Sequence, residues 1–199
     1  MKKIFLSLIL FITAICGLNA QSNLAEVNKI NGFYIFVDSK PTADYDVVGE
    51  VKVDETDKDI IRSQGQYSDV RDNIIRNARM ANYGADGLIF TFINGGTDKA
   101  LIIKFKQDKP ENKIAKVEQY SGLYVFTDCT PLTKYDYLDT QKFSGGFSSG
   151  QYTSVRDTLI KRVKKKIPNA NAVMFDGFAP PFQSPNTPCG SFKTSKISK

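Results

Sequence analysis

Four pairs of charged residues recur in the same order along the chain: Asp38 and Asp128, Asp46 and Asp136, Arg71 and Arg156, Asp72 and Asp157. Each arginine follows a Gly-Gln-Tyr triplet, Gly65-Gln66-Tyr67 or Gly150-Gln151-Tyr152, and Tyr45 and Tyr135 precede the second pair of aspartates. Arginine, glutamine and phenol gathered at the start of a helix could hold an anion, because free backbone amides and the helix dipole favour negative charge there. The same residues could instead be caps and ion pairs that lock helix to sheet, with Arg71 pairing to Asp38 or Asp46 from the strand ends. Both readings stand for the candidate set Asp38, Tyr45, Asp46, Gln66, Tyr67 and Arg71, with Asp128, Tyr135, Asp136, Gln151, Tyr152 and Arg156 as their counterparts.

Other chemistry finds little support. The chain has no histidine, which removes the usual proton shuttle, the commonest metal ligand and any histidine-based triad. Cys129 has Ser39 as its counterpart. No pattern sets two carboxylates in a cleft, as glycoside hydrolysis requires. The expectation is therefore a protein that is not an enzyme and uses no cofactor and no metal. Asp54-Glu55-Thr56-Asp57-Lys58-Asp59 is rich in oxygen ligands but lacks the EF-hand glycine and terminal acid; it reads as a solvated acidic loop. Lys161-Arg162-Val163-Lys164-Lys165-Lys166 is the densest basic run. At a helix C-terminus such cations complement the dipole. A solvated face is the default there and contact with anionic lipid or polysaccharide the alternative. Without interleaved aromatic residues the run does not read as a nucleic-acid surface.

The elements that must position these residues also occur twice. Gly32-Phe33-Tyr34-Ile35-Phe36-Val37-Asp38 matches Gly122-Leu123-Tyr124-Val125-Phe126-Thr127-Asp128, and Ala85-Asp86-Gly87-Leu88-Ile89-Phe90 matches Ala170-Asn171-Ala172-Val173-Met174-Phe175. Each unit reads as a strand, a turn at Pro41 or Pro131, a strand from Tyr45 with Val47, Gly49, Val51 and Val53 on one face, a helix, and a third strand. The helix shows Val70, Ile74, Ala78 and Ala81 at helical spacing, or Val155, Leu159, Val163 and Ile167. Ser68 and Thr153 are the expected N-caps, and Gly84 and Asn169 the expected left-handed closures. Ala100 to Phe105 adds a strand to the first unit. The fold class is α+β, a tandem duplication of a β-β-α-β two-layer sandwich with the two halves packed together. The boundaries are 21–106 for the first repeat with its extra strand, 107–114 for the linker, 115–178 for the second repeat, and 179–199 for a Pro-rich, basic tail.

Residues 1–20 read as a signal peptide, with Lys2 and Lys3 before the apolar run Ile4 to Ile15 and cleavage after Ala20. Cys16 offers lipidation as the alternative, against which the bulky Ile15 argues. Export to the periplasm or beyond the cell follows, and an oxidising compartment would pair Cys129 with Cys189. The formal net charge is +6, with acids in excess over residues 21–100 and bases beyond.

From Val48-Gly49-Glu50-Val51 through the helix to Gly84-Ala85-Asp86-Gly87-Leu88-Ile89, the chain resembles small α/β modules of the YbjQ type and is similar to the RcsF family of envelope stress-sensing lipoproteins. Leu138-Asp139-Thr140 departs from the Gly-x-Val pattern in the second unit, and the paired disulfides of the lipoprotein sensors are missing. The resemblance implies this fold and a role in the envelope or in assembly, and transfers no functional residue. The expected function is an exported, non-enzymatic binding or assembly module. The alternative is a small-ligand, anion or ion receptor using the two helix N-termini. The expected partner is an envelope protein, with no nucleic acid, the membrane touched peripherally at most, and the oligomeric state open.

Overall fold

Short alternating and fully apolar stretches of sequence dominate the chain, and in a computed structural model they form strands grouped into three sheets. The structure describes residues 23–63, 65–81, 84–142, 151–176 and 191–197. Residues 1–20, read above as a signal peptide, Cys16, Cys189 and most of the Pro-rich tail lie outside them.

In the first half, β1 (Leu24–Val27), β2 (Lys29–Ile30), β3 (Phe33–Phe36), β4 (Ser39–Pro41) and β5 (Tyr45–Lys52) precede helices α1 (Lys58–Ser63) and α2 (Tyr67–Ala81), followed by β6 (Gly87–Thr91) and β7 (Lys99–Phe105). A 3-10 turn at Pro110–Lys113 leads into β8 (Ile114–Val117), β9 (Gln119–Tyr120), β10 (Leu123–Thr127), β11 (Cys129–Pro131) and β12 (Tyr135–Lys142). Helix α3 (Tyr152–Lys166), β13 (Ala172–Asp176) and β14 (Ser191–Ile197) complete the described chain. The fold is α+β.

One five-stranded sheet has the order β2-β3-β6-β7-β5 and the other β9-β10-β13-β14-β12, so corresponding elements occupy corresponding places. In each, the one parallel pair is bridged by the long helix: β3 with β6 across α2, and β10 with β13 across α3. The helices cover one sheet face because their apolar stripes require it. Val70, Ile74, Ile75 and Ala78 of α2 pack on Phe33, Ile35, Leu88 and Ile102, and Leu159, Ile160 and Val163 of α3 on Leu123, Val125 and Val173.

The third sheet, β11-β1-β8-β4, draws its strands alternately from the two halves. Ala25 of β1 lies opposite Ala115 of β8. Outward from that pair, Ala25 faces Pro131 while Ala115 faces Pro41. Its strands β1 and β8 are buried on alternate residues only. The inner face packs on both large sheets, through Val27 and Ala115 against Phe36, Ile103 and Phe105 and through Ala25 and Val117 against Phe126, Met174 and Ile197.

Several sequence expectations change here. The proline turns at Pro41 and Pro131 are the ends of strands β4 and β11. The extra strand is not peculiar to the first half, because Ser191–Ile197 of the tail pairs with both β12 and β13. Val47 does not share a face with Val51: a bulge between Val47 and Gly49 breaks the alternation, leaving Val47 exposed and Val51 buried. The helices begin at Tyr67 and Tyr152, so Ser68 and Thr153 are not their N-caps; Ser68 lies buried inside the first turn with no partner for its hydroxyl. Asn169 is not left-handed. Helix α3 closes instead on Ile167, whose amide donates to the Val163 carbonyl at 2.7 Å, just before Pro168. The acidic loop runs into α1, which starts at Lys58 and is anchored by buried Ile60.

Candidate functional site: two crossed aspartate clusters

Asp38 ends the apolar run of β3 and Asp128 that of β10, each in the left-handed region with φ 47° and 52°. Aspartate tolerates this conformation better than most residues. The effect is to turn each aspartate out of its own half and into the other. The Asp38 carbonyl accepts from the Glu118 amide at 2.8 Å and the Asp128 carbonyl from the Asn28 amide at 2.9 Å. The carboxylates cross in the same way.

Asp38 accepts hydrogen bonds from the hydroxyls of Tyr152 at 2.6 Å and Tyr120 at 2.9 Å, and from Nη1 of Arg156 at 2.8 Å. Asp128 accepts from the Tyr67 hydroxyl and from Nη1 of Arg71 at 3.1 Å. Each arginine is aimed by the residue after it: Nε of Arg156 donates to Asp157 at 3.0 Å and Nε of Arg71 to Asp72 at 2.9 Å. The Tyr67 and Tyr152 rings meet between the clusters with centroids 5.1 Å apart, and Phe92 lies 4.6 Å from Tyr152.

The expected pairing of Arg71 with Asp38 or Asp46 within one half is therefore corrected. Arg71 pairs with Asp128, and Arg156 with Asp38, because the left-handed aspartates point across the junction.

The electrostatics suit donation to fixed carboxylates. Burial pushes the Asp38 carboxyl above its ordinary range, and Arg156 with the two phenols pulls it partway back. Burial, reinforced by the neighbouring aspartates, raises Tyr67 and Tyr152 well above the usual phenol value, so both remain protonated donors. Burial works against the charge on both arginines, but their aspartates outweigh it and hold them more firmly protonated than usual. An exogenous anion here would have to displace one of the chain's own carboxylates.

Tyr120 is the participant that comparing the two halves missed. Its counterpart is Ile30, so it does not recur. Its ring also lies 3.8 Å beneath the Arg156 guanidinium. Gln66 and Gln151 precede the two helices: the Gln66 carbonyl accepts from the Val70 amide at 3.0 Å and the Gln151 carbonyl from the Val155 amide at 3.2 Å.

The remaining candidates lie elsewhere, on the outer strands β5 and β12 of the two large sheets. Tyr45 is half-buried against the core beneath its sheet. Asp46 is exposed, 3.8 Å from the Lys106 ammonium. Tyr135 is exposed opposite Ile197, and Asp136 is exposed opposite Lys196. Cys129 is mostly buried, and burial pushes its thiol up to about 12; its expected partner Cys189 lies outside the described residues.

Where the linker leaves β7, an open cleft of about 490 Å³ is lined by Thr42, Asp44, Lys106, Lys109, Glu111 and Asn112. Its two acids stand among lysines. Among the described residues no group of histidine, cysteine and acid side chains could hold a metal ion, and no helix is long and apolar enough to cross a membrane. No protein-family model, curated protein or solved structure matches the chain.

Proposed function

We propose that the chain is an exported, non-enzymatic binding or assembly module of the cell envelope, built by tandem duplication of a β-β-α-β two-layer sandwich whose halves are locked together. One observation carries this reading: the recurring charged residues most able to do chemistry are engaged with each other across the junction. The recurring polar and aromatic positions still open to a partner lie on the outer strands. There Val47, Val48, Tyr135 and Tyr137 are exposed, on strands whose far edge has no neighbour among the described residues. Exposed apolar side chains along such an edge suit addition of a partner's strand, where main-chain bonds give affinity and side chains give selection.

The test is cross-linking in the cells that make the protein, followed by mass spectrometry, with the native chain and Tyr135→Ser/Tyr137→Ser side by side. A reproducible envelope protein captured by the native chain, and lost from a variant whose unfolding midpoint is unchanged, is the expected result. Self-links alone, or capture indifferent to the two tyrosines, would remove the outer strand as the binding surface.

A further inference from the structure

The two long helices occupy matching places but carry different outer faces. In α3, Leu159, Ile160 and Val163 are buried. At 100° per residue, Lys161 and Lys165 point away from that stripe, with Lys164 beside them. All three are exposed, Lys164 also donating to the Ser121 carbonyl of the β9–β10 turn at 2.8 Å. Arg162 flanks this face on the side of Lys165. Because the buried stripe faces the sheet, the lysine face is the outermost surface of this half.

The fold does not require all of these charges to be free. In α2 the place of Lys161 is taken by Arg76, which is bound to Asp57 ahead of α1, the place of Lys164 by Arg79, and the place of Lys165 by the uncharged Met80. Nor does the helix dipole explain them all, since its effect is confined to the last turn and Lys161 lies before it.

We propose that the outer face of α3 is an electrostatic docking surface for an anionic lipid bilayer, engaging headgroup phosphates through Lys161, Lys164 and Lys165. The chemistry favours a bilayer over a structured partner. Lysines are compact charges on flexible stems that adapt to a diffuse anionic plane, whereas recognition of single phosphates in fixed geometry favours arginine forks. The face holds no large apolar side chain to insert, so adsorption is superficial and reversible. Each lysine contributes about five-fold to partitioning onto an anionic membrane. Docking leaves the outer strand β12 free, and the inference stands independently of the protein partner proposed above.

The experiment is flotation of the purified chain with phosphatidylglycerol–phosphatidylcholine vesicles and with pure phosphatidylcholine vesicles. The native chain, Lys161→Glu/Lys165→Glu and the charge-matched control Lys104→Glu/Lys116→Glu are compared. The control residues are exposed on β7 and β8. The expected result is capture by anionic vesicles only, reduced roughly 25-fold or more in the α3 variant and far less in the control. Capture should fade between ~0.1 M and ~1 M salt as the screening length falls from about 10 Å to about 3 Å. Equal capture by neutral vesicles, equal losses in both variants, or binding to soluble dextran sulfate without vesicle capture would each overturn the proposal.

Discussion

The side chains of Asp38 and Arg156 are 8% and 11% exposed, those of Asp128 and Arg71 17% and 19%. The difference follows from Tyr120, which covers Arg156 and adds a third donor to Asp38, while Ile30 in the matching place does neither. Removing one partner of a buried pair leaves the other charge uncompensated, so Asp38→Ala should cost about 3–5 kcal/mol. Asp128→Ala should cost clearly less, at about 1–3 kcal/mol, the range for an orphaned, partly solvated donor set. Urea denaturation compares the two, and equal losses would contradict the asymmetry. The phenols give a pH signature. Tyr67 and Tyr152 titrate in the fold well above 10.0, their ordinary value. A group raised on folding stabilises fully below its unfolded pKa and loses that contribution as pH rises. Stability should therefore fall above pH 10, with phenolate absorbance from these two residues appearing together with unfolding and not before it. Tyr67→Phe/Tyr152→Phe should be less stable at neutral pH and show a shallower alkaline decline. At this scale the sequence revealed which residues recur and no more. Which aspartate meets which arginine depends on the left-handed turn at residues 38 and 128, and no local rule reads such a turn from Val-Asp-Ser or Thr-Asp-Cys.

Among the elements, the long helices and inner strands were legible because their apolar periods are strong: Val70, Ile74 and Ala78 on one side, and Phe33, Ile35 and Val37 on the other. Strands β1, β4, β8 and β11 were not. Each has only three or four residues, and half of each alternation faces solvent, so pairing with the other half is what makes them strands. The expected N-caps, Ser68 and Thr153, lie two residues beyond Gln66 and Gln151, because Tyr67 and Tyr152 enter the first turn to reach the aspartates, overriding the hydroxyl-cap preference. The hairpins β2–β3 and β9–β10 turn on Asn31-Gly32 and Ser121-Gly122, with positive φ at both positions of each. Asparagine and glycine accept that geometry and serine accepts it poorly. Ser121→Asn should therefore stabilise the protein by about 0.5–1 kcal/mol and Asn31→Ser destabilise it by a similar amount, read from thermal midpoints. Matching shifts of one sign would show that the turns do not govern the effect. Gly87 offers a stricter case: a Cβ there would stand 3.1 Å from the Tyr34 carbonyl oxygen and 3.1 Å from the Phe36 ring. Gly87→Ala should thus cost about 1–3 kcal/mol by overpacking, although Ala172 is accommodated at the matching place in β13.

In the whole molecule, neither half can complete its surroundings alone. The middle sheet interleaves β4, β8, β1 and β11 from alternate halves. Its inner face supplies apolar cover to both large sheets, and the aspartate clusters join the junction with residues from both halves. Separating the halves would expose Ala25, Val27, Ala115 and Val117 together and strand four buried or half-buried charges. Each consequence is unfavourable by several kcal/mol, comparable with the entire stability of a small domain. An intermediate with one half folded and the other open should therefore not accumulate. Cys129 provides the probe, since it packs against both apolar clusters beneath the middle sheet and its thiol is held largely unreactive by burial. In the reduced protein, thiol labelling of Cys129 and loss of far-ultraviolet ellipticity should follow one urea transition with one midpoint. Ala25→Phe, which overpacks the central pair of the middle sheet, should move both probes together by about 1–3 kcal/mol. A range of urea in which Cys129 labels while much of the ellipticity persists would mean that the junction opens before the halves unfold. The crossed aspartates would then be a latch between two independently stable units, and the edge strands could be presented to a partner in an opened form.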